Sequence, residues 1–436
     1  GNYNLSLAPV KSLKFDINFL FKYLIVVVPI TIIAGNFILN INIFLIDIIF
    51  LFLILKKKVK LKGITSLFIL AFSIIVVFNI YFSSNINLSV KGSIGILKYL
   101  IFFLAFLQFL DNEENKKLFI KFIFYLILFV ILDVFVQYIF GKDIFGIEYD
   151  SSHGKRLSGP FGDELVVGAY ISKISFLGCL YLINIKKNNL FLASFILLFL
   201  ICIFITQERS AFFITLLSAT FFILFFKFKN IQKITILLSL SIMIVLLLNF
   251  DKSSYNKYLN LTPLQLGFTE DLHKRSLSTK SVGDHPINSF WDSRYGAHFL
   301  TAYNIYLDNK LIGSGIKTFR SECSLQKYNK IKSQYIDKRC NTHPHNIYLE
   351  ILSEGGLFIF IPFCVVIFFL IVINLKNVLF NENYEKSMVN LCILIILFFP
   401  IQTTGSFFST FNGIFYWLGA ALIIKNLDYN LFSRSH

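Results

Sequence analysis

Residues 341–357, NTHPHNIYLEILSEGGL, are where the side chains of this chain best suit chemistry. His343 and His345 flank Pro344 where a long polar segment runs directly into an apolar one. Imidazole has an unperturbed pKa of about 6.5, so either histidine can take a proton at neutral pH without special tuning. Proline favours the first helical position, which predicts Pro344 in the first turn of a helix carrying His345, Leu349 and Leu352 on one face. Backbone N–H groups left free at such a start, together with the helix dipole, favour an anion such as a phosphate. A plainer reading stands beside this one, in which His343 caps the helix and His345 packs under the loop. A third makes Cys340, His343 and His345 zinc ligands, although their spacing is not the usual one and Pro344 stiffens the segment.

Arginines form the second constellation: Arg156 in KRLSGPFGDE, Arg209 in TQERSA and Arg294 in WDSRYG. The planar guanidinium binds phosphate through paired hydrogen bonds and stays charged wherever it is placed. Arg209 is the most informative, because so short a turn between apolar runs holds its charge near a membrane boundary. Glu208 or a lipid headgroup is its plain partner, and Arg156 and Arg294 can simply be solvated. Asp163 and Glu164 precede an apolar run and suit helix capping, or else fixing an arginine or receiving a sugar hydroxyl. Gly313 and Gly315 in LIGSGI are a weak signal for a phosphate-binding turn. Cys323 and Cys340 can form a disulfide in an oxidising compartment, whereas Cys179, Cys202, Cys364 and Cys392 fall in apolar runs.

The elements that must position these groups are set by composition. The chain has 436 residues, 56% of them hydrophobic, with 53 phenylalanines and a mean hydropathy of +0.69. Apolar runs of about 18 or more residues recur along most of it, each long enough to cross a bilayer. They predict an all-α polytopic membrane bundle of about twelve transmembrane helices. The runs lie near residues 17–35, 37–55, 64–82, 94–110, 118–140, 163–185, 190–205, 211–226, 234–250, 357–375, 390–403 and 411–424. The net charge of +16 would suit nucleic acid, but the basic residues sit in short runs between apolar segments, so no nucleic-acid partner is expected.

Basic loops mark the cytoplasmic side: Lys56, Lys57, Lys58, Lys60 and Lys62, then Lys116 with Lys117, Lys186 with Lys187, Lys227 with Lys229, Lys376 with Lys386, and Lys425 with Arg434. Both termini are then cytoplasmic. The outer face receives residues 141–162, the TQERS turn and the long segment 251–350, which is too polar to cross a membrane. Helical patterns at Arg294–Leu307 and Thr318–Tyr328 predict a small folded cap. The expected division is 1–250 for spans one to nine, 251–356 for a periplasmic loop domain, and 357–436 for the last three spans and tail.

This topology, together with three short motifs, resembles the O-antigen ligase and O-antigen polymerase superfamily. His345 and Asn346, followed by Tyr348, Leu349, Glu354 and Gly355, match the family's most recognisable segment. Arg209, Ser210 and Ala211 resemble its SR-x-A element, with Glu208 where a serine is usual. Arg294 with the downstream LIGSGIKTF resembles the arginine and P-L-x-G-x-G of its long loop, with Lys310 where proline is common. The resemblance implies a glycosyltransferase of the bacterial inner membrane, active at the periplasmic face. It implies an undecaprenyl-pyrophosphate-linked oligosaccharide donor and acceptor, membrane lipids and a chain-length regulator as partners, with no metal or other cofactor. By the same resemblance His345 is the general base, Arg209 and Arg294 bind pyrophosphate, and Arg156, His343 and Glu164 orient substrate. The second arginine-bearing loop, RLSGPFGDELVVGAY, favours polymerase, with ligase as the alternative. A transporter would show charged groups at mid-depth in several spans, and Asp47 and Asp133 are the clearest of few.

Overall fold

The computed structural model describes residues 16–59, 63–149, 155–266, 290–331, 333 and 335–427. Lys60, Lys62 and Arg434 of the basic loops lie outside them, as do residues 150–154 and 267–289 of the two polar segments. All named secondary structure among the described residues is helical. The chain opens with α1 Ile17–Val26 and α2 Val28–Ile33, divided next to Pro29, followed by α3 Asn36–Leu55, α4 Gly63–Tyr81, α5 Ile86–Leu110 and α6 Glu113–Phe140. Next come α7 Val167–Asn184, α8 Asn189–Ile205, α9 Arg209–Phe225 and α10 Asn230–Phe250, then the short α11 Lys252–Tyr255 and α12 Thr262–Gln265. The remainder is α13 Arg294–Asp308, α14 Phe319–Glu322, α15 Ile347–Leu379, α16 Tyr384–Phe398 and α17 Thr410–Asn426.

A helix lies at each place where a span was expected, and among the described residues six of them, α3, α5, α6, α7, α10 and α15, have the length and apolarity to cross a membrane. Others, such as α8 and α9, are apolar but shorter. The bundle is not inside-out in sequence but apolar on both faces. Phe102, Phe106, Phe119, Phe176, Phe199 and Phe222 fill its core, while Phe37, Leu55, Phe140 and Phe250 stand on its exterior. Water would not tolerate so large an apolar surface, so this is a membrane protein. Helix α10 shows the point most clearly, with only Ile236 and Leu240 buried along its length.

Local chemistry sets the helix ends. The Asn112 side chain accepts the N–H groups of Glu114 and Asn115 to start α6, and Gly141, at φ 79°, ends it in the left-handed conformation. Helix α7 departs from expectation. It begins at Val167 with no side-chain cap of its own, so Asp163 and Glu164 do not cap it. The Glu208 carboxylate, from the turn between α8 and α9, instead accepts the Gly168 and Ala169 N–H groups at 2.7 and 3.0 Å.

Helix α15 is interrupted at Gly356, whose φ of 61° and ψ of −169° are not helical. The interruption lets a strand-like segment dock: Leu357 N–H donates to the Lys310 carbonyl at 2.9 Å, and Phe358 N–H to that of Leu311 at 3.0 Å. In return, Ser314 and Gly315 donate to the Ser353 and Glu354 carbonyls at 2.9 and 3.0 Å. The glycines of LIGSGI and EGG therefore serve close backbone approach rather than a phosphate-binding turn. A Cβ on Gly356 would overlap the Leu311 carbonyl oxygen and the Gly313 nitrogen. Positive-φ strain and overlap together should make Gly356→Ala destabilising by about 2–5 kcal/mol. A thermal melt of the purified variant equal to that of the unsubstituted protein would contradict this docking.

Between α10 and α15 the described residues hold a second small core of Ala302, Ile305, Phe319, Cys323 and Tyr328. Helix α13 matches the expected Arg294–Leu307 closely. The pattern at Thr318–Tyr328 does not become one helix, but one turn of α14 followed by a 3-10 turn at Gln326–Lys330. Cys323 and Cys340 are joined in a disulfide, their Cα atoms 5.2 Å apart. Cys340 therefore has no thiolate to offer zinc. Closing a loop of this size stabilises by roughly 3 kcal/mol. The Cys323→Ser, Cys340→Ser double variant should be cleaved faster between residues 294 and 340 in limited proteolysis, and unchanged resistance would show the bond to be dispensable.

Candidate active site

The starts of α7, α9 and α17, the turn between α8 and α9 and the end of α16 surround a cavity of about 550 Å³. Arg156, Lys173, Arg209 and Lys257 line it, with Glu208 as the opposing carboxylate. Arg156 reaches it from the loop before α7, where one guanidinium nitrogen donates to the Leu165 carbonyl at 3.0 Å. Arg209 stands at the first position of α9 and donates to Thr262 Oγ1 at 3.2 Å. Lys257 comes from the π-helical turn between α11 and α12, and burial, Arg209 and Arg156 all lower its pKa. Cations held together at such cost to one another form a site prepared for a multiply charged anion. Burial pushes the Glu208 carboxyl up to about 7, against the two backbone N–H donors from α7 and the nearby Arg156 and Lys173 charges.

His345 sits at the edge of this cavity. The Tyr295 ring, which lines it, meets the His345 ring edge-on at 5.8 Å, and Thr404, also in the lining, donates its N–H to the His345 carbonyl at 2.8 Å. His345 is not in the first turn of a helix. The helix starts at Ile347, the Asn346 side chain accepts the Tyr348 and Leu349 N–H groups, and His345 precedes it with φ at 60°. Two of the N–H groups expected to greet a phosphate are thus already taken. Asn346 also donates to the Pro400 carbonyl at 2.8 Å, which ties this start to the segment 400–405.

The tautomer of His345 follows from its neighbours. Asn341 uses its side-chain carbonyl to accept Thr342 N–H at 2.7 Å, which turns its amide nitrogen toward His345 Nε2 at 2.8 Å. Nε2 is then the acceptor, unprotonated and held in place. Burial first, then the neighbouring His343 and His298, lower the His345 pKa to about 3. The three rings cluster, with centroids 4.3 Å from His345 to His343 and 5.3 Å to His298. His298 donates from Nδ1 to the Arg339 carbonyl at 2.9 Å, and His343 donates from Nε2 to that of Thr404 at 3.2 Å.

Of the residues expected from sequence, Arg156 and Arg209 share the cavity, and His345 borders it. Arg294 is exposed at the start of α13, beside Tyr295, and acts electrostatically on His298 and His345. His343 lines an adjoining pocket instead. Glu164 is exposed and lines neither. Lys173, Lys257, Tyr295, His298 and Asn341 escaped the sequence reading. Lys173 had a signal, being a lone cation inside an apolar run, where it now donates to Asn412 Oδ1 at 2.5 Å. Asp133, by contrast, accepts Ile144 N–H at 2.8 Å, a structural bond rather than a transport path.

No curated protein matches the chain. Residues 193–364, which include Arg209, Arg294, His343 and His345, match the family model described as O-antigen ligase, Wzy_C, and this match supports the resemblance to the O-antigen ligase and O-antigen polymerase superfamily.

Proposed function

We propose that the protein is an inverting, metal-independent glycosyltransferase that polymerises undecaprenyl-pyrophosphate-linked O-antigen repeat units at the periplasmic face of the inner membrane. The observation that carries this reading is one cavity in which Arg156, Arg209 and Lys257 converge, bordered by an unprotonated imidazole. The diphosphate is already a good leaving group, so its departure needs charge neutralisation rather than protonation, and fixed cations supply that. The acceptor hydroxyl displaces the Asn341 amide from His345 Nε2 and attacks the anomeric carbon while that nitrogen takes its proton. The bond from that carbon to the diphosphate oxygen breaks, and its electron pair leaves with the carrier. A single displacement inverts the anomeric centre. In this mechanism Arg209 and Arg156 hold the diphosphate, Arg294 adds positive potential at the rim, His343 orients substrate, and Asn341 positions the base.

Ligase is the second reading, favoured by the description of the matching family. Arg156 supports the polymerase, because the loop that bears it contributes to the cavity alongside Arg209. Purified protein given a defined polyprenyl-pyrophosphate glycan should produce a ladder of repeat lengths still on the carrier. A single transfer to lipid A core, with no ladder, would establish the ligase instead.

A further inference from the structure

A second pocket, of about 320 Å³, lies against the first, and Gly405 and Asn412 form the wall common to both. Its volume falls at the lower end of the roughly 300–1,000 Å³ usual for small-molecule sites. Lys317, Arg320, His343, Ser406 and Ser409 give it two cations, an imidazole and hydroxyls. It reaches within one ring of the proposed base, since His343 and His345 stand 4.3 Å apart.

Lys317 is half-buried, and Arg320 is an exposed side chain at the edge of the pocket. Lys317 holds a left-handed backbone, φ 64°, because its N–H donates to the Glu354 carboxylate at 2.7 Å. Burial first, then the neighbouring Arg320, lower the pKa of its ammonium, so the two cations repel one another, while the Glu354 and Glu350 charges act in the opposite sense. Glu350 and Glu354 lie behind them, but their oxygens are engaged by Ser406 and Phe407, and by the Lys317 and Phe319 N–H groups. An incoming anion would relieve the repulsion, and the Ser409 hydroxyl and Asn412 amide suit sugar hydroxyls. The carrier diphosphate already has the first cavity. Resting on the reading of His345 as base, we infer that this pocket seats the acceptor sugar and selects one bearing an anionic substituent, a carboxylate or a phosphate. Lys317 and Arg320 are then specificity-determining residues.

The test uses full-length protein in lipid nanodiscs and three probes: a disaccharide ending in a hexuronic acid, its neutral hexose counterpart, and the same disaccharide bearing a hexose phosphate. The unsubstituted protein should bind at least one charged probe about tenfold or more tightly than the neutral one. Whether carboxylate or phosphate gains more identifies the substituent. Arg320→Gln, at an exposed side chain, and Lys317→Asn, which tolerates positive φ, should each remove most of that preference by bringing charged-probe binding down toward that of the neutral probe. Equal binding of all three probes, or a preference kept by both variants, would overturn the inference. Carrier diphosphate binding and its loss in Arg209→Ala are measured separately, so failure of the parent reading is told apart from failure of this one.

Discussion

Replacing His345 with alanine should lower glycan transfer by about a hundred- to ten-thousandfold, the range that positioned base catalysis supplies. The side chain is partly exposed and accepts from Asn341, itself exposed, so its loss leaves no buried donor unpaired and the fold should survive. An unchanged melting temperature with retained transfer would remove His345 from the mechanism. The pH dependence sharpens the test. Because the free protein holds His345 at about 3, kcat/KM should show no acid limb near 6.5 from this group. A bound diphosphate brings negative charge and raises that pKa, so the acid limb of kcat should lie at higher pH than that of kcat/KM. Stability follows the same sign. His345, His343 and His298 all have folded pKa values below the unfolded one, so between about pH 6.5 and pH 3 the unfolded chain binds more protons. The stabilisation is therefore complete above that window and is lost as pH falls through it.

Arg209→Ala should cost about ten- to a hundredfold in kcat/KM, since one charge-assisted contact to a phosphate is worth roughly 1.5–3 kcal/mol. Arg209→Lys should recover only part, because an ammonium keeps the charge but not the fork that engages two oxygens. The loss should appear in binding of the carrier diphosphate as well as in turnover. Full carrier affinity in Arg209→Ala would show that the cavity holds something else. Arg156 should behave in the same direction, while Glu164→Gln should leave transfer unchanged, because that side chain is exposed and outside the cavity lining.

The disparity between Arg209 and Glu164 illustrates what could be read in advance. A charge in a turn of so few residues between two apolar runs has nowhere to go but the end of the bundle, so Arg209 was legible. Glu164 suited either helix capping or orienting substrate, yet α7 starts three residues later and takes its cap from Glu208, whose carboxylate accepts the Gly168 N–H from forty residues farther along the chain. Sequence spacing carries no information about such a cross-element bond. His345 was legible by residue type and neighbourhood, but its conformation was not. Asn346 outcompetes Pro344 as the helix start because its side chain satisfies two N–H groups and its amide reaches the Pro400 carbonyl.

By itself, the sequence determined the apolar helices, the basic loops between them, the pairing partners available to Cys323, and the chemical types of base and cation. Those properties depend on composition and on periodicity within single segments, where neighbours in the chain are neighbours in space. Tertiary structure alone decided that Lys257 and Lys173 join Arg156 and Arg209, that Asn341 sets the tautomer of His345, and that Lys317 and Arg320 form a second cationic pocket. Each of these is a meeting of side chains or loops whose relative placement depends on how the folded segments pack. Packing of whole helices and loops, not local preference, determines which residues meet.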